Sequence, residues 1–236
     1  EIKAVNESAR RRIASIPANQ FISDPLGYLS PVQKARTALA LLGTMRRSKA
    51  GHLVTTNFEH HAVLYNAEKL EKEGYEVTYV PVDKDGLVNP EDIGTALQPE
   101  TKLVSVMYAN NEIGTIQPLE EIADVIRLFR KEAGRFPLDP PFFHTDACQA
   151  AAYLDLDVGK LGVDLMTING SKIYGPKGTG LLFMRRGIKL EPFWNGGGQE
   201  NKLRSGTENI AGIVGLAEAL KLVQANKEKE SERLRE

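Results

Sequence analysis

HLVTTNFEHHAVLYNAEKLEKEGYEVTYV, residues 52–80, contains a strand, a helix and a second strand in succession. His52–Thr56 is short and apolar, as expected for a buried strand. His61–Glu73 has the apolar spacing of an amphipathic helix, and Gly74 follows it as a helix-stop residue. Glu76–Val80 is rich in β-branched residues and predicts the second strand. A strand, a helix and a strand in this order are typical of an α/β domain with a parallel sheet.

The rest of the chain continues this alternation of helices and strands. Asn89 and Pro90 suit the N-cap and the first position of another helix. We therefore predict an α/β fold with a mostly parallel sheet flanked by helices. The remaining predicted elements are helices at Ser8–Ile16, Val32–Leu42 and Leu119–Ala133, a turn at Asp24–Gly27, a short turn or helix at Asp157–Leu161, strands at Leu103–Tyr108, Phe142–Thr145 and Leu165–Ile168, and a segment at Gly180–Met184.

The composition indicates one sizeable domain with a buried core. The chain has 236 residues, 42% of them hydrophobic, and its 30 Lys and Arg balance 31 Asp and Glu. No overall charge therefore favours nucleic acid or a membrane surface, and no transmembrane run or signal peptide is visible. The single cysteine, Cys148, excludes an intrachain disulfide and favours a reducing, cytoplasmic compartment. Because the chain begins at Glu1 rather than Met, we expect its true N-terminus to lie upstream.

The first of four polar clusters spans residues 169–178, Asn-Gly-Ser-Lys-Ile-Tyr-Gly-Pro-Lys-Gly, after a predicted buried strand. An ammonium at Lys172 beside an apolar sheet edge would be desolvated, which lowers the pKa of the amine and frees it for Schiff-base chemistry. The alternative is a surface lysine in a glycine-rich turn. A lone lysine between glycines does not decide between the two.

The second cluster is His-Thr-Asp-Ala-Cys-Gln at residues 144–149, where a predicted strand ends. A buried Asp146 beneath a pyridine ring would keep the ring nitrogen protonated, so that the ring accepts electrons. Gln149 would donate a hydrogen bond to a ring hydroxyl. The alternative for Asp146 is a residue that caps the following helix.

The third and fourth clusters each follow a strand. Residues 108–114 contain the pair Asn110 and Asn111, which suits either ligand contacts or a simple turn. Residues 57–61 contain His60, whose flat imidazole could stack on an aromatic cofactor and shuttle protons. The alternative for His60 is a helix-start residue with no further role.

Together, these clusters resemble cysteine desulfurases and their selenocysteine lyase relatives in the class V aminotransferase group. The resemblance covers about residues 51–218 and rests on seven stretches in the family's order. They are Glu59–Leu64, Asn110–Gly114, His144–Gln149, Val163–Met166, Lys172–Gly178, Gly196–Glu200 and Arg204–Asn209.

The resemblance implies the large domain of a fold-type I enzyme that binds pyridoxal 5'-phosphate (PLP), acting as a homodimer. Residues 51–225 would form that domain, residues 1–50 an atypical N-terminal segment, and residues 226–236 a charged helical tail toward an absent C-terminal small domain. Its implied site residues are Lys172, bonded to the cofactor aldehyde and later moving the substrate Cα proton; His60, stacked on the ring; Asp146, paired with the pyridinium nitrogen; Asn111 and Gln149, at the ring oxygen; and Thr207, reaching the neighbouring subunit's phosphate.

Three departures from the family pattern bear on activity. The family's Ser-x-His-Lys stretch is Asn169-Gly170-Ser171-Lys172 here, so Asn169 and Ser171 would bind the phosphate without a histidine charge. The phosphate-binding segment before the first long helix, residues 27–33 here, does not match. The family's C-terminal domain, which supplies the persulfide cysteine, is expected to be absent from these residues, and Cys148 is expected to be a small buried residue.

Three functional hypotheses follow from the resemblance. The first is a cysteine desulfurase, present here in part, that converts L-cysteine to L-alanine and passes sulfur to an iron–sulfur scaffold or thiolation protein. The second is a related selenocysteine lyase or aminotransferase, and the third is a degenerate, non-catalytic homologue. We expect no metal site, because the four histidines lack zinc-ligand spacing.

Overall fold

The computed structural model of the chain describes residues 20–23, 32–194 and 196–235. The predicted helix at residues 8–16 and turn at residues 24–27 lie outside these ranges, as does most of the unmatched segment 27–33. The strands are β1 (Gln20–Ser23), β2 (His52–Thr56), β3 (Glu76–Val80), β4 (Thr101–Ser105), β5 (Phe142–Asp146), β6 (Leu165–Asn169) and β7 (Gly180–Met184). The helices are α1 (Val32–Met45), α2 (His61–Lys72), α3 (Pro90–Ala96), α4 (Leu119–Glu132) and α5 (Ile210–Arg233).

The described strands form one seven-stranded sheet in the order β1-β7-β6-β5-β4-β2-β3. β2 to β6 pair in parallel, whereas β7 is antiparallel to β6 and β1 is antiparallel to β7. β2, β6 and β7 are buried at every position, while the edge strand β3 is partly exposed. Both faces of the sheet are therefore covered, as parallel sheets require.

Helices pack on the two faces to make a three-layered α/β domain. On one face, α1 and α2 pack against apolar residues such as Leu53 and Leu165. On the other face, α3, α4 and α5 pack against residues such as Val104 and Ile168. The expected α/β fold with a mostly parallel sheet is confirmed. No helix of the described residues is long and apolar enough to cross a membrane.

The helix ends follow the local signals in the sequence. The Asn89 side chain accepts a hydrogen bond from the Glu91 N–H at 3.1 Å, with Pro90 at the first position of α3. Gly74 lies just after α2 with φ +91°, a conformation that favours glycine. Both caps agree with the prediction.

Several element boundaries differ from the prediction, and two of these differences bear on the site. β4 ends at Ser105 instead of residue 108, because the Met107 N–H donates to the Glu59 side chain and not to a β2 carbonyl. α5 is one continuous helix of 24 residues, so the charged tail predicted from residue 226 is the last part of a helix that begins at Ile210. This helix, α5, contacts the turn Gly170–Lys172.

Candidate active site

Four loops meet at the carboxyl-terminal edge of the parallel strands, which is where open α/β sheets bind ligands. They follow β2, β4, β5 and β6, which are neighbours in the sheet. The topology therefore brings every predicted site residue except Thr207 to this edge. In strand order from β2 to β6, the loops and strand ends carry Glu59 and His60, Asn110 and Asn111, Asp146 and Gln149, and Asn169, Ser171 and Lys172.

Hydrogen bonds tie these loops to one another. The Met107 N–H donates to Glu59 Oε1 at 2.7 Å, and Asn110 Nδ2 donates to the Phe58 carbonyl at 3.2 Å. The Tyr108 N–H donates to the Asp146 carbonyl at 3.0 Å. Backbone and side-chain hydrogen bonds therefore both fix the positions of these loops relative to one another.

Asp146 is the buried acid of this site. It is the last residue of β5 and only 3% exposed. Its Oδ1 accepts a hydrogen bond from the Cys148 N–H at 3.0 Å, which closes a local turn, whereas the N-cap of the short helix that follows is Gln149 and not Asp146. A carboxyl group at this depth is stable as an anion only with polar or cationic partners, which suits it to pair with a cationic ligand group.

Lys172 ends the short 3₁₀ turn Gly170–Lys172 that follows β6. Its side chain is exposed, so the predicted desolvation of its ammonium does not occur in this chain alone. The reason is its position three residues past the strand, on a turn that carries it to the surface. Its charge still acts on the Cys148 thiol, whose pKa it lowers against the larger, opposite effect of burial. Lys172 is thus within electrostatic reach of the residues around Asp146.

Asn169 and Ser171 shape the turn before Lys172. Asn169 is buried, and its Oδ1 accepts hydrogen bonds from the Ser171 N–H at 3.1 Å and the Ser171 hydroxyl at 3.0 Å. A phosphate would therefore have to replace Asn169 as the acceptor for the Ser171 hydroxyl. The amide nitrogen of Asn169 supplies further donors.

His60 is the N-cap of α2. Its Nδ1 accepts a hydrogen bond from the Ala62 N–H at 3.0 Å. An accepting Nδ1 leaves the ring proton of a neutral imidazole on Nε2. The helix-start role is therefore present, and it also fixes the tautomer that His60 would offer to a ligand.

The three remaining predicted site residues are less buried than Asp146 and Asn169. Asn111 and Thr207 are exposed, and Gln149 is half-buried. Thr207 lies three residues before α5 and is not among the four loops. Its assignment to a neighbouring subunit's phosphate stays a prediction, as do the ring contacts of Asn111 and Gln149.

Comparison with known proteins identifies the family of this chain. The aminotransferase class-V model matches residues 35–236. The chain belongs to the class V aminotransferases. A cysteine desulfurase IscS from Dictyoglomus turgidum is 40% identical over all of this chain, which spans 57% of that relative.

Solved structures agree with the class V assignment. A NifS-like protein superposes with a TM-score of 0.86 at 31% identity, covering 97% of this chain and 60% of that one. The structure titled SspA in complex with cysteine superposes at 0.81 with 33% identity, covering 93% and 61%. The chain thus spans about three-fifths of these two solved structures and 57% of the Dictyoglomus relative. The sequence resemblance and its implied fold are confirmed.

Pyridoxal 5'-phosphate is the cofactor of class V aminotransferases and cysteine desulfurases, and the residues present fit it. Its aldehyde requires an amine, which Lys172 offers, and its ring nitrogen requires a buried acid, which Asp146 offers. Thr145 Oγ1 and Glu59 Oε2 are buried here without a hydrogen-bond partner among the described residues. Such unpartnered polar atoms are typical of functional sites.

One buried residue at this edge, Glu59, was not singled out in the sequence, and Asn110 was named only as one of a pair of asparagines. Glu59 is buried beside His60, and Asn110 is buried with its Oδ1 accepting from the Glu112 and Ile113 N–H groups. Both lie in stretches that match the family, and that match was the available signal. Asn110 shapes the loop that presents its neighbour Asn111.

Cys148 is buried, as expected, and burial raises the pKa of its thiol well above the usual value. It is therefore a poor nucleophile at neutral pH. Among the described residues, no group of three or more His, Cys, Asp and Glu could hold a metal ion.

The burial of His144 makes the stability of the class V chain depend on pH. It is fully buried, with Nδ1 2.9 Å from the Ser105 hydroxyl and Nε2 3.0 Å from the Thr167 hydroxyl. Burial lowers the pKa of His144 to about 4. The folded state therefore binds fewer protons than the unfolded state between about pH 6.5 and 4, and its stability falls as the pH drops through this window.

We expect His144→Gln to be less stable at neutral pH and to lose less stability on acidification. The difference between the two proteins should shrink by up to about 3 kcal/mol from pH 7 to pH 4. Urea unfolding at several pH values measures it, and His61→Gln, at an exposed histidine, is the control. Parallel pH profiles for wild type and His144→Gln would contradict the account.

Proposed function

We propose that this chain is the PLP-binding part of a cysteine desulfurase, which converts L-cysteine to L-alanine and transfers the sulfur. The observation that carries the proposal is the placement of buried Asp146 beside the loop of Lys172, on neighbouring strands. The relatives named cysteine desulfurase and the neighbour solved with cysteine support the substrate.

Each site residue has a role that follows from its position. Bound PLP supplies an electron sink that stabilises negative charge on the substrate Cα. Lys172 Nζ would hold the aldehyde of the cofactor and would also move the proton at the substrate Cα. The Asp146 carboxylate keeps the proton on the ring nitrogen. His60 stacks on the ring and assists proton transfer through Nε2, because Ala62 occupies its Nδ1.

The sulfur step needs a thiolate that attacks the substrate sulfur. In that step a sulfur–sulfur bond forms, the substrate Cβ–S bond breaks, and its electron pair returns to the carbon skeleton, which takes up protons to become alanine. The buried Cys148 thiol does not suit this role, because burial raises its pKa. We assign the accepting thiol to another part of the whole protein or to a partner, with an added thiol replacing it in a test.

The remaining assignments are also proposals. Asn111 and Gln149 bind the ring oxygen, and Asn169, Ser171 and a partner subunit's counterpart of Thr207 bind the phosphate. The whole protein is proposed to be a cytoplasmic homodimer that delivers sulfur to an iron–sulfur scaffold or another acceptor protein.

The test is alanine production from L-cysteine by the purified chain with PLP and dithiothreitol. Alanine and sulfide should form in equal amounts, since two thiols of the reductant become a disulfide for each sulfide released. Lys172→Ala is the matched variant and should give neither product above background.

The other outcomes distinguish the alternatives. Product from L-selenocysteine but not from L-cysteine would indicate a selenocysteine lyase. Amino transfer to a 2-oxo acid without sulfide would indicate an aminotransferase. If PLP binds but no substrate is turned over, or PLP does not bind, the proposal fails for this chain and the non-catalytic reading replaces it.

A further inference from the structure

Glu59 is a buried acid for which the reaction above has no use. It is 6% exposed and lies directly before His60. Its Oε1 accepts hydrogen bonds from the Met107 N–H at 2.7 Å and the Thr56 hydroxyl at 3.3 Å. Its Oε2 is fully buried and has no hydrogen-bond partner among the described residues. A glutamate in this state is rare enough in proteins to require an explanation.

The first effect of Glu59 is to extend the sheet between β2 and β4. The backbone pairing of these strands stops at Thr55 and Ser105. Beyond it, the Met107 N–H finds its acceptor in the Glu59 side chain. A second bond, from Asn110 to the Phe58 carbonyl, joins the same two loops. Glu59 therefore holds the His60 loop against the segment that leads to Asn111.

Its second effect is electrostatic. The acid that acts on Glu59 is Asp146 on β5, while Thr56 on β2 and Met107 after β4 contribute uncharged donors. Burial is the largest cause, and the Asp146 charge adds to it, so that the pKa of Glu59 is raised to about 8. Two buried carboxylates at one sheet edge would repel each other, and one of them retains its proton.

We propose that Glu59 is a positioning residue that anchors the His60 loop and keeps its proton, so that Asp146 remains the single buried negative charge at this edge. The catalytic meaning of that charge rests on the proposed function, whereas the hydrogen bonds and the proton of Glu59 do not.

The proton is tested in the cofactor-free chain, so that the result is independent of PLP binding. A folded-state pKa raised above the unfolded value stabilises the protein below about pH 4.5, and this contribution is lost as the pH rises through 8. In this window, one extra bound proton changes the unfolding equilibrium constant by up to about tenfold per pH unit. We expect Glu59→Gln to lack this dependence and to become more stable than wild type as the pH approaches 8.

Glu112→Gln is the matched control, because Glu112 is exposed in the neighbouring loop and should keep the wild-type dependence. Chemical unfolding at pH 5, 6, 7 and 8 gives the three profiles. Equal pH slopes for wild type and Glu59→Gln would overturn the protonation of Glu59.

The anchoring role is tested by amide hydrogen exchange at Met107. Glutamine retains an acceptor oxygen, so Glu59→Gln should keep the Met107 amide protected. Glu59→Leu removes the acceptor and should speed exchange at Met107 by more than tenfold, with little change at the Val106 amide, which donates to the His144 carbonyl. Unchanged protection of Met107 in the leucine variant would overturn the anchor. Should the leucine variant not fold, loss of Met107 protection in Glu59→Gln would overturn it instead.

Discussion

Replacing Lys172 with alanine is expected to abolish covalent attachment of PLP to the chain. The wild-type protein, incubated with PLP and passed through a desalting column, should keep the visible absorbance of the bound cofactor. Lys172→Ala should lose all of it, because alanine has no amine to bond with the aldehyde. Absorbance spectra of the two desalted proteins measure the effect.

Lys177→Ala is the control for this experiment. Lys177 is an exposed lysine of the same loop, five residues along the chain. Lys177→Ala should keep the wild-type spectrum if PLP bonds specifically to the lysine that follows β6 and not to any amine of the loop. Retained absorbance in Lys172→Ala would show that another lysine binds the cofactor, and its loss in Lys177→Ala alone would place the attachment at Lys177.

Removing the Asp164 carboxylate is expected to cause the largest loss of stability. Asp164 is 3% exposed at its side chain and bridges two guanidinium groups, those of Arg130 and Arg185. It also accepts a hydrogen bond from the Phe143 N–H at 3.0 Å, where β5 begins. Asp164→Ala leaves the buried Arg130 charge without its counter-ion, which costs about 3–5 kcal/mol. The free energy of unfolding in urea checks this value.

Asp155→Ala provides the comparison with an exposed acid. Asp155 pairs with Lys160 and Lys227 at the surface, and such pairs contribute about 1 kcal/mol or less. The account predicts a clear gap between the two alanine variants. A cost for Asp164→Ala as small as that of Asp155→Ala would mean that the buried ion cluster does not stabilise the fold.

The sequence predicted the alternation of elements well, because the local signals and the tertiary packing agree. β2 and β3 begin and end where their apolar and β-branched residues do, and Asn89 caps α3 as its position predicts. The direction of β7, antiparallel to β6, could not be read from residue pattern. Periodicity reports which positions are buried, but it does not report the direction of a neighbouring strand.

The same distinction holds for the site: sequence signals identified some of its residues, but burial and exposure there depend on tertiary packing. The resemblance placed Asp146 and Lys172 in one site, and the parallel topology brings their strands together. Glu59 was missed as an individual residue because a glutamate between a strand and a helix is usually exposed. Its burial depends on β4 and β5, which lie far along the chain. The exposure of Lys172 follows from its place at the end of the turn after β6, which the residue pattern alone does not specify.

Some stretches that match the family contain residues that stabilise the fold and take no part in the proposed reaction. Val163-Asp164-Leu165-Met166 resembles the family, and Asp164 ties the start of β5 to the end of β7 through Arg185. Such a residue supports the framework at the sheet edge opposite the site. A family match therefore mixes residues that bind with residues that hold the binding loops in place.

The covalent link between PLP and one lysine is tested most directly by trapping it. Sodium borohydride reduction of the PLP-loaded chain makes the bond permanent, and mass spectrometry of a protease digest then locates the added cofactor. The label is expected on Lys172 and on no other lysine in stoichiometric amount. A label at Lys177 or another lysine, or a loaded protein that carries none, would contradict it.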